Sequence, residues 1–203
     1  MNEIAGRNPK QPGELQEPTV AEHPLVLSMI ECIGFGAFSV VFRHPNNGKV
    51  FKLFRKRDEN NKLQDLGDHE PALRRAAFDS EVAAYRIAMS SAAICPLVPK
   101  FHGEVVVEKV LTKDGTDISC QFLLDCCYVI DFIEGAEHEK FTHTLAAQHI
   151  HLREAIHAFE SNGIKHWNDG TVFHPTNQAL TKIIDFALAD VYGNRAAAIA
   201  CAE

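Results

Sequence analysis

The sequence predicts an α+β domain: a small antiparallel sheet carrying one helix, followed by a helical region. Three observations lead there. From residue 27 to 54, β-branched and aromatic runs are separated by a glycine turn and by Pro45-Asn46-Asn47-Gly48, a hairpin signal. Residues 74–92 then change rhythm, with Phe78, Val82, Tyr85 and Met89 at helical spacing. Two further apolar strand runs precede a second helical stretch, so strands and helices segregate along the chain instead of alternating as in parallel α/β folds.

Taken in order, residues 1–22 are polar, hold three prolines and show no periodicity, so they read as a disordered leader. They lack the basic-then-apolar order of a secretory signal peptide. After the hairpin strands, the charged residues 55–75 read as an exposed link or a loose first helical turn. "LVPKFHGEVVVEKVL" and "CQFLLDCCYVIDFI" are further strands, joined across Asp114-Gly115. In "LAAQHIHLREAIHAFESNG", Leu145, Ile150, Leu152, Ala155, Ile156 and Phe159 fall largely on one helical face, and Asn162-Gly163 makes a C-cap. A dense polar segment follows and runs into the apolar strand Ile183-Ile184 before a short Ala-rich tail.

Composition bounds the function. The chain has 203 residues, 46% hydrophobic and 23% charged, enough to bury a core as one domain. Its net charge of −7, from 20 basic and 27 acidic residues, is unlike the basic footprint of a nucleic-acid binder. No apolar run approaches the roughly 20 residues that cross a bilayer, so the expectation is a soluble protein. Six cysteines show no C-x-x-C pair or zinc spacing and read as free thiols of a reducing compartment. His149, His151 and His157 share a helical stretch, but no carboxylate or cysteine joins them; solvated helix histidines are the simpler reading.

Several residues carry chemistry. Gly34 and Gly36, between two strands, permit a tight turn whose backbone can approach a phosphate; a ligand-free glycine hairpin explains them equally. A β-branched strand follows them, not a helix, which excludes the dinucleotide-binding fingerprint. Lys52 lies mid-strand among apolar residues, sharing a face with Val50 while Phe51 and Leu53 take the other. It needs an anion if buried or snorkels if the strand is an edge. Glu81 interrupts the apolar stripe of the first helix and needs a partner, for which Lys52 is the candidate, unless it sits on the helix flank. Asp185 ends an apolar strand, where it can offer a carboxylate to a cleft or cap a helix.

In this order and approximate spacing, G34-F-G36-A-F-S39-V-V41, Lys52, Glu81, "IDFIEG", "GIKHWND" and "IIDFA" resemble the signature set of eukaryotic-type protein kinases. The resemblance runs from residue 27 to the end. It implies a two-lobe fold, with an N-lobe over about 23–134 and a much reduced helical C-lobe over about 135–203. It also implies ATP and Mg²⁺. Gly34, Gly36 and Ser39 would form the loop over the phosphates, and Val41 and Val50 the adenine ceiling. Asp131 and Ile133 would present backbone groups to the purine, behind Ile130 as gatekeeper. Lys52, positioned by Glu81, would bind the α/β-phosphates. Asp169 would align or deprotonate the attacking hydroxyl, and Asp185 would hold the metal together with Asn177 or its rival His174.

The chain departs from that pattern in places. Ser39 stands for the third glycine and Ala187 for the glycine after Asp185-Phe186. The loop His166-Trp-Asn-Asp169 is one residue longer than H-R-D, and His174 occupies the position of the metal asparagine, with Asn177 three residues on. Only 18 residues follow Asp185, too few for the helices on which such kinases dock peptides. In that brevity the chain is similar to the small HopBF-family effector kinases of plant-associated bacteria. That likeness implies type III secretion into host cytoplasm through an unfolded leader and action, as a monomer, on the host's ninety-kilodalton heat-shock chaperone. Two other activities remain open: a pseudokinase that binds nucleotide or partners without catalysis, and a small-molecule phosphotransferase resembling aminoglycoside or choline kinases.

Overall fold

The computed structural model of the chain describes residues 25–57, 70–140, 149–165, 170–175, 181–187 and 189–191. The leader, Asp169, Asn177 and Cys201 lie outside them. Strand β1 (Leu25–Ser28) leads through a 3-10 turn into β2 (Cys32–Phe35), β3 (Ser39–Arg43) and β4 (Lys49–Arg55). The β3–β4 hairpin forms at the expected site: the His44 N–H donates to the Lys49 carbonyl at 2.9 Å. Gly48 there takes φ +62°, a left-handed conformation that costs glycine little. Helix α1 (Glu70–Ser90) follows, with Pro71 in its first turn, where a missing N–H is no loss. Then come β5 (Phe101–Val105), β6 (Val107–Leu111), β7 (Phe122–Asp131) and β8 (Ala136–Lys140). The last described part holds α2 (Ile150–Ser161), β9 (Ile164–Lys165), β10 (Thr171–Pro175), β11 (Lys182–Ile184) and β12 (Asp190–Val191). Helix α2 ends at the expected cap, with the Gly163 N–H on the Glu160 carbonyl at 3.0 Å and Gly163 at φ +86°.

The architecture is α+β. Five antiparallel strands in the order β2-β3-β4-β7-β5 form the main sheet, and strand alternation divides its side chains between two cores. Val50, Phe54, Cys126, Tyr128 and Ile130 face Ala77, Phe78, Val82 and Tyr85 of α1. The same core continues into Leu152 and Phe159 of α2 and into Val172, Ile183, Phe186 and Val191. On the opposite face Val40, Phe42, Phe51, Leu53, Cys127 and Val129 meet Leu27 of β1 and Val107 and Val110 of β6. Every Cβ of a strand alternates sides, so Lys52 is carried onto the α1 face with Val50 and Phe54. Because β4 lies between β3 and β7, Lys52 is not on an edge strand.

Four expectations are corrected. The segment 97–111 is two strands, broken at Val106; β5 stays in the main sheet while β6 leaves it to pair in parallel with β1. The charged stretch 55–75 is not simply an exposed link: α1 already runs from residue 70, and Arg55 and Arg74 are 5% and 0% exposed. The described part of 135–203 is not mostly helical. It contains α2 and five short strands, of which β8, β10 and β11 form a sheet in the order β11-β10-β8 and β9 pairs with β12. Finally, Asp185 is followed by a turn and β12 among the described residues, so it does not cap a helix there.

Among the described residues no helix is long and apolar enough to cross a membrane. Cys32, Cys95, Cys120, Cys126 and Cys127 are free thiols, and the adjacent Cys126 and Cys127 are buried on opposite faces of β7.

The β1 strand tests the two-sided core. Leu27 is 2% exposed and its neighbour Val26 44% exposed. Leu27→Ala is expected to cost about 2–5 kcal/mol in urea denaturation, and Val26→Ala less than about 0.5 kcal/mol. Equal effects would place β1 in the wrong register.

Candidate functional site

Three charged side chains from three separate elements converge. The Lys52 Nζ, midway along β4, donates to Glu81 Oε1 of α1 at 2.7 Å and to Asp185 Oδ1, just after β11, at 2.9 Å. The side chain of Glu81 is 0% exposed, that of Lys52 12% and that of Asp185 30%. Solvent therefore reaches the group through Asp185, while Glu81 is sealed behind the lysine. One ammonium faces two carboxylates, so once Glu81 ionises the three groups together carry a net negative charge, which suits an added cation.

Local structure explains each placement. Arg74, Phe78, Glu81 and Tyr85 recur at helical spacing along one face of α1, so the helix that packs its aromatics on the sheet also aims Glu81 at β4. Glu81 Oε1 also accepts from the Phe186 N–H at 3.0 Å, which ties the residue after Asp185 to the helix. The Phe186 ring is fully buried, edge-on to Tyr85 at 5.5 Å and tilted against Phe159 at 5.4 Å. Ser80 adds a second tie, its hydroxyl donating to the Ala189 carbonyl at 3.1 Å. Asp185 itself has φ +74°, the one non-glycine residue at positive φ among those described. Such a conformation costs roughly 1–2 kcal/mol and is held by the packing of Phe186 and the bond to Lys52; strain of this kind collects at functional positions.

The electrostatics are set by burial against charge. Burial pulls the Lys52 ammonium down, but Glu81 and then Asp185 outweigh it and hold it above the ordinary lysine range. Burial pushes Glu81 up to about 7, with Lys52 opposing and Asp185 reinforcing the rise. For Asp185, burial is outweighed by Lys52, helped by Lys140, and the carboxyl lies below its usual value. Beneath the ions, Glu81 Oε2 and the Tyr85 hydroxyl are buried without a hydrogen-bond partner among the described residues.

The other expected site residues are placed as follows. Gly34 on β2 pairs with Val41 of β3, which in turn lies opposite Lys52, and Ser39 pairs with Phe54 of β4. Gly36 closes the turn by donating to the Ser39 carbonyl at 2.8 Å. Neither Gly34 nor Gly36 has a positive φ, and a Cβ built on either meets nothing closer than 3.5 Å. The hairpin's own geometry therefore does not require glycine at those positions. Val50 lies directly opposite Ile130 in the buried sheet. Asp131 ends β7 with its N–H on the Lys100 carbonyl at 3.0 Å and its carboxylate 2.6 Å from His102 Nε2; Ile133 lies two residues beyond it and is half-buried.

His174 is not brought to the cluster. Its Nε2 is 2.7 Å from Glu139 Oε1. The register Thr171↔Ile184, Val172↔Ile183, Phe173↔Lys182 carries it toward the far end of β11, about 10 Å or more from Asp185 at strand rise. Three participants were missed in the sequence. Tyr85 reads in the sequence only as a core position of α1. Arg74, where the charged stretch meets the helical run, carries no local sign of burial, although it lies seven residues before Glu81 on the same helical face. Lys140 reaches Asp185 electrostatically because Thr171 pairs with both Lys140 and Ile184; no local pattern signals that register.

Comparison with protein-family models, with curated proteins and with solved structures found no match to this chain.

The carboxyl of Glu81 provides a pH test. Its native value is raised from 4.5 to about 7, so the native state binds the extra proton in that interval and stability must fall as pH rises through it. Asp185 is shifted downward and Lys52 upward, so both titrate outside the interval. The melting temperature of the wild type relative to Glu81→Gln is therefore expected to drop from about pH 4.5 to about pH 7 and level off above. A flat difference would contradict the burial of an ionising Glu81.

Proposed function

We propose that the chain is an ATP- and Mg²⁺-dependent serine/threonine protein kinase of reduced two-lobe form, in which the main sheet and α1 are the N-lobe and residues from about 135 the C-lobe. The observation that carries this reading is the junction of Lys52 with both Glu81 and Asp185 within 2.9 Å. The three residues come from three elements, in the chain order of the lysine, glutamate and metal-binding aspartate of the kinase signature set. The glycine turn supports it as well: bare backbone at Gly34 and Gly36 is not demanded by the protein's own packing, and it suits close approach to a phosphate.

The residues present fit the ligands. Bound ATP and Mg²⁺ would supply the transferable phosphoryl group and the cation that offsets its charge. Asp185, ionised and partly exposed, offers the hard oxygen that Mg²⁺ prefers. Lys52, held charged by two carboxylates, offers an ammonium to phosphate oxygens, and Glu81 keeps that ammonium from turning away. Asp169 is the proposed partner of the attacking hydroxyl and Asn177 a second metal ligand; both lie outside the described residues. Asn177 is preferred to His174, which the β10–β11 register draws away from Asp185. Such a site works by positioning and fixed charge, with little covalent chemistry asked of the protein. By the same resemblance, the proposed setting is delivery by type III secretion into a host cell, with the ninety-kilodalton heat-shock chaperone as the protein substrate.

The test is transfer of radiolabelled phosphate from ATP to protein, with Mg²⁺ present and then chelated. Asp185→Asn, which keeps shape and removes charge, is expected to lose activity on the order of a hundredfold or more. Lys52→Met should lose activity similarly and also melt lower, because it leaves the buried Glu81 without its cation. Wild-type ATP binding without any transfer would instead favour the pseudokinase reading.

Gly34→Ala with Gly36→Ala separates fold from ligand. The double variant should keep its stability within about 1 kcal/mol, since both sites accept a methyl group without clash. Its ATP affinity, measured by calorimetry, should nevertheless fall. Unchanged affinity would remove the glycine turn from the site.

A further inference from the structure

Arg74 is fully buried, an uncommon place for a guanidinium. It leaves α1 on the face that carries Glu81, two helical turns before it, and its Nη1 donates to the Ala37 carbonyl at 2.9 Å. The guanidinium carbon lies 5.4 Å from the centroid of the Phe38 ring, within cation–π range. Ala37 and Phe38 are the middle of the glycine turn. The turn is held on both sides of this contact: Gly36 donates to the Ser39 carbonyl at 2.8 Å and the Arg55 N–H donates to the Phe38 carbonyl at 2.9 Å. Three successive residues of the turn thus each take part in a hydrogen bond: Gly36 within the turn, Phe38 to β4 and Ala37 to α1.

The geometry has a chemical consequence. In a trans peptide the carbonyl and the following N–H point in opposite directions, and no described peptide bond is cis. With the Ala37 carbonyl drawn to Arg74, the Phe38 N–H is directed away from the guanidinium. A backbone N–H aimed outward from a tight turn is a donor for an anionic oxygen.

We propose that Arg74 is a positioning residue: it anchors the Gly36–Ser39 turn to α1, so that one helix sets both the phosphate-facing backbone and the Lys52–Glu81 pair. The nucleotide part of this inference rests on the phosphotransfer reading; the anchoring part does not. Arg74 touches the turn and acts on a ligand only through it.

The experiment pairs hydrogen–deuterium exchange with ATP binding, using Arg74→Met, Arg74→Lys and, from the turn's side, Phe38→Leu, which leaves α1 untouched. In Arg74→Met, amides of the peptide spanning residues 33–41 should exchange about tenfold faster, the loss expected for one charge-assisted hydrogen bond, while those of residues 78–90 stay as in wild type. The KM for ATP should rise about tenfold with a smaller change in kcat. Arg74→Lys should recover part of both effects, which a merely structural role would not predict, and Phe38→Leu should move both in the same direction if Arg74→Met does not fold. Unchanged turn exchange in Phe38→Leu and in the folded Arg74 variants overturns the proposal. Faster turn exchange with unaltered ATP affinity overturns the positioning role. A wild type that binds no ATP, with variants that still loosen the turn, upholds the anchor and overturns the nucleotide reading instead.

Discussion

The structure depends on one ammonium group. Lys52 joins β4 to α1 and to the turn after β11, partners 29 and 133 residues away in sequence. Without it, two carboxylates, one fully buried, would face each other across an apolar core. Burying ions costs several kcal/mol each, and hydrophobic replacements often do as well or better. Stability alone is a poor reason for such an arrangement. Charge placement is a better one, because a lysine held between two carboxylates stays protonated and stays put.

What surrounds the lysine strengthens it. Phe101, Tyr85 and Phe186 stack in sequence under the ions, Phe101 parallel to Tyr85 at 5.5 Å and Tyr85 edge-on to Phe186 at 5.5 Å. Glu81 is fully buried beside them, and a low local dielectric makes its hydrogen bond to Lys52 count for more. Burial, reinforced by Asp185, is what raises the Glu81 carboxyl. On the far side of the sheet, the β1–β6 pair closes the opposite core, so β4 is packed on both faces.

Helix α1 integrates these parts. A single stripe of residues contacts the glycine turn through Arg74, the sheet through Phe78, the lysine through Glu81 and Phe186 through Tyr85, while Ser80 on the flank of the helix bonds the Ala189 carbonyl. Side chains at this spacing share one rigid face, so their relative positions are set by helix geometry and not by loop conformation. The elements with conformational freedom, the glycine turn and the residues after β11, are each tied back to that face by a hydrogen bond.

The sequence by itself determined whatever rests on local periodicity. The β3–β4 hairpin follows from Pro45-Asn46-Asn47-Gly48, the cap of α2 from Asn162-Gly163, the face Lys52 shares with Val50 from strand alternation, and the place of Glu81 on the apolar stripe of α1 from helical spacing. Each is a statement about residues a few positions apart, and chain stereochemistry makes it without reference to the rest of the molecule. The tertiary structure alone decided the parallel pairing of β6 with β1, the break at Val106, the three-stranded sheet that brings Lys140 toward Asp185, and the burial of Arg55 and Arg74. A long cation enters the interior only where a distant segment supplies an acceptor, as the Ala37 carbonyl does for Arg74. Strand register likewise depends on a partner whose place along the chain no local pattern encodes.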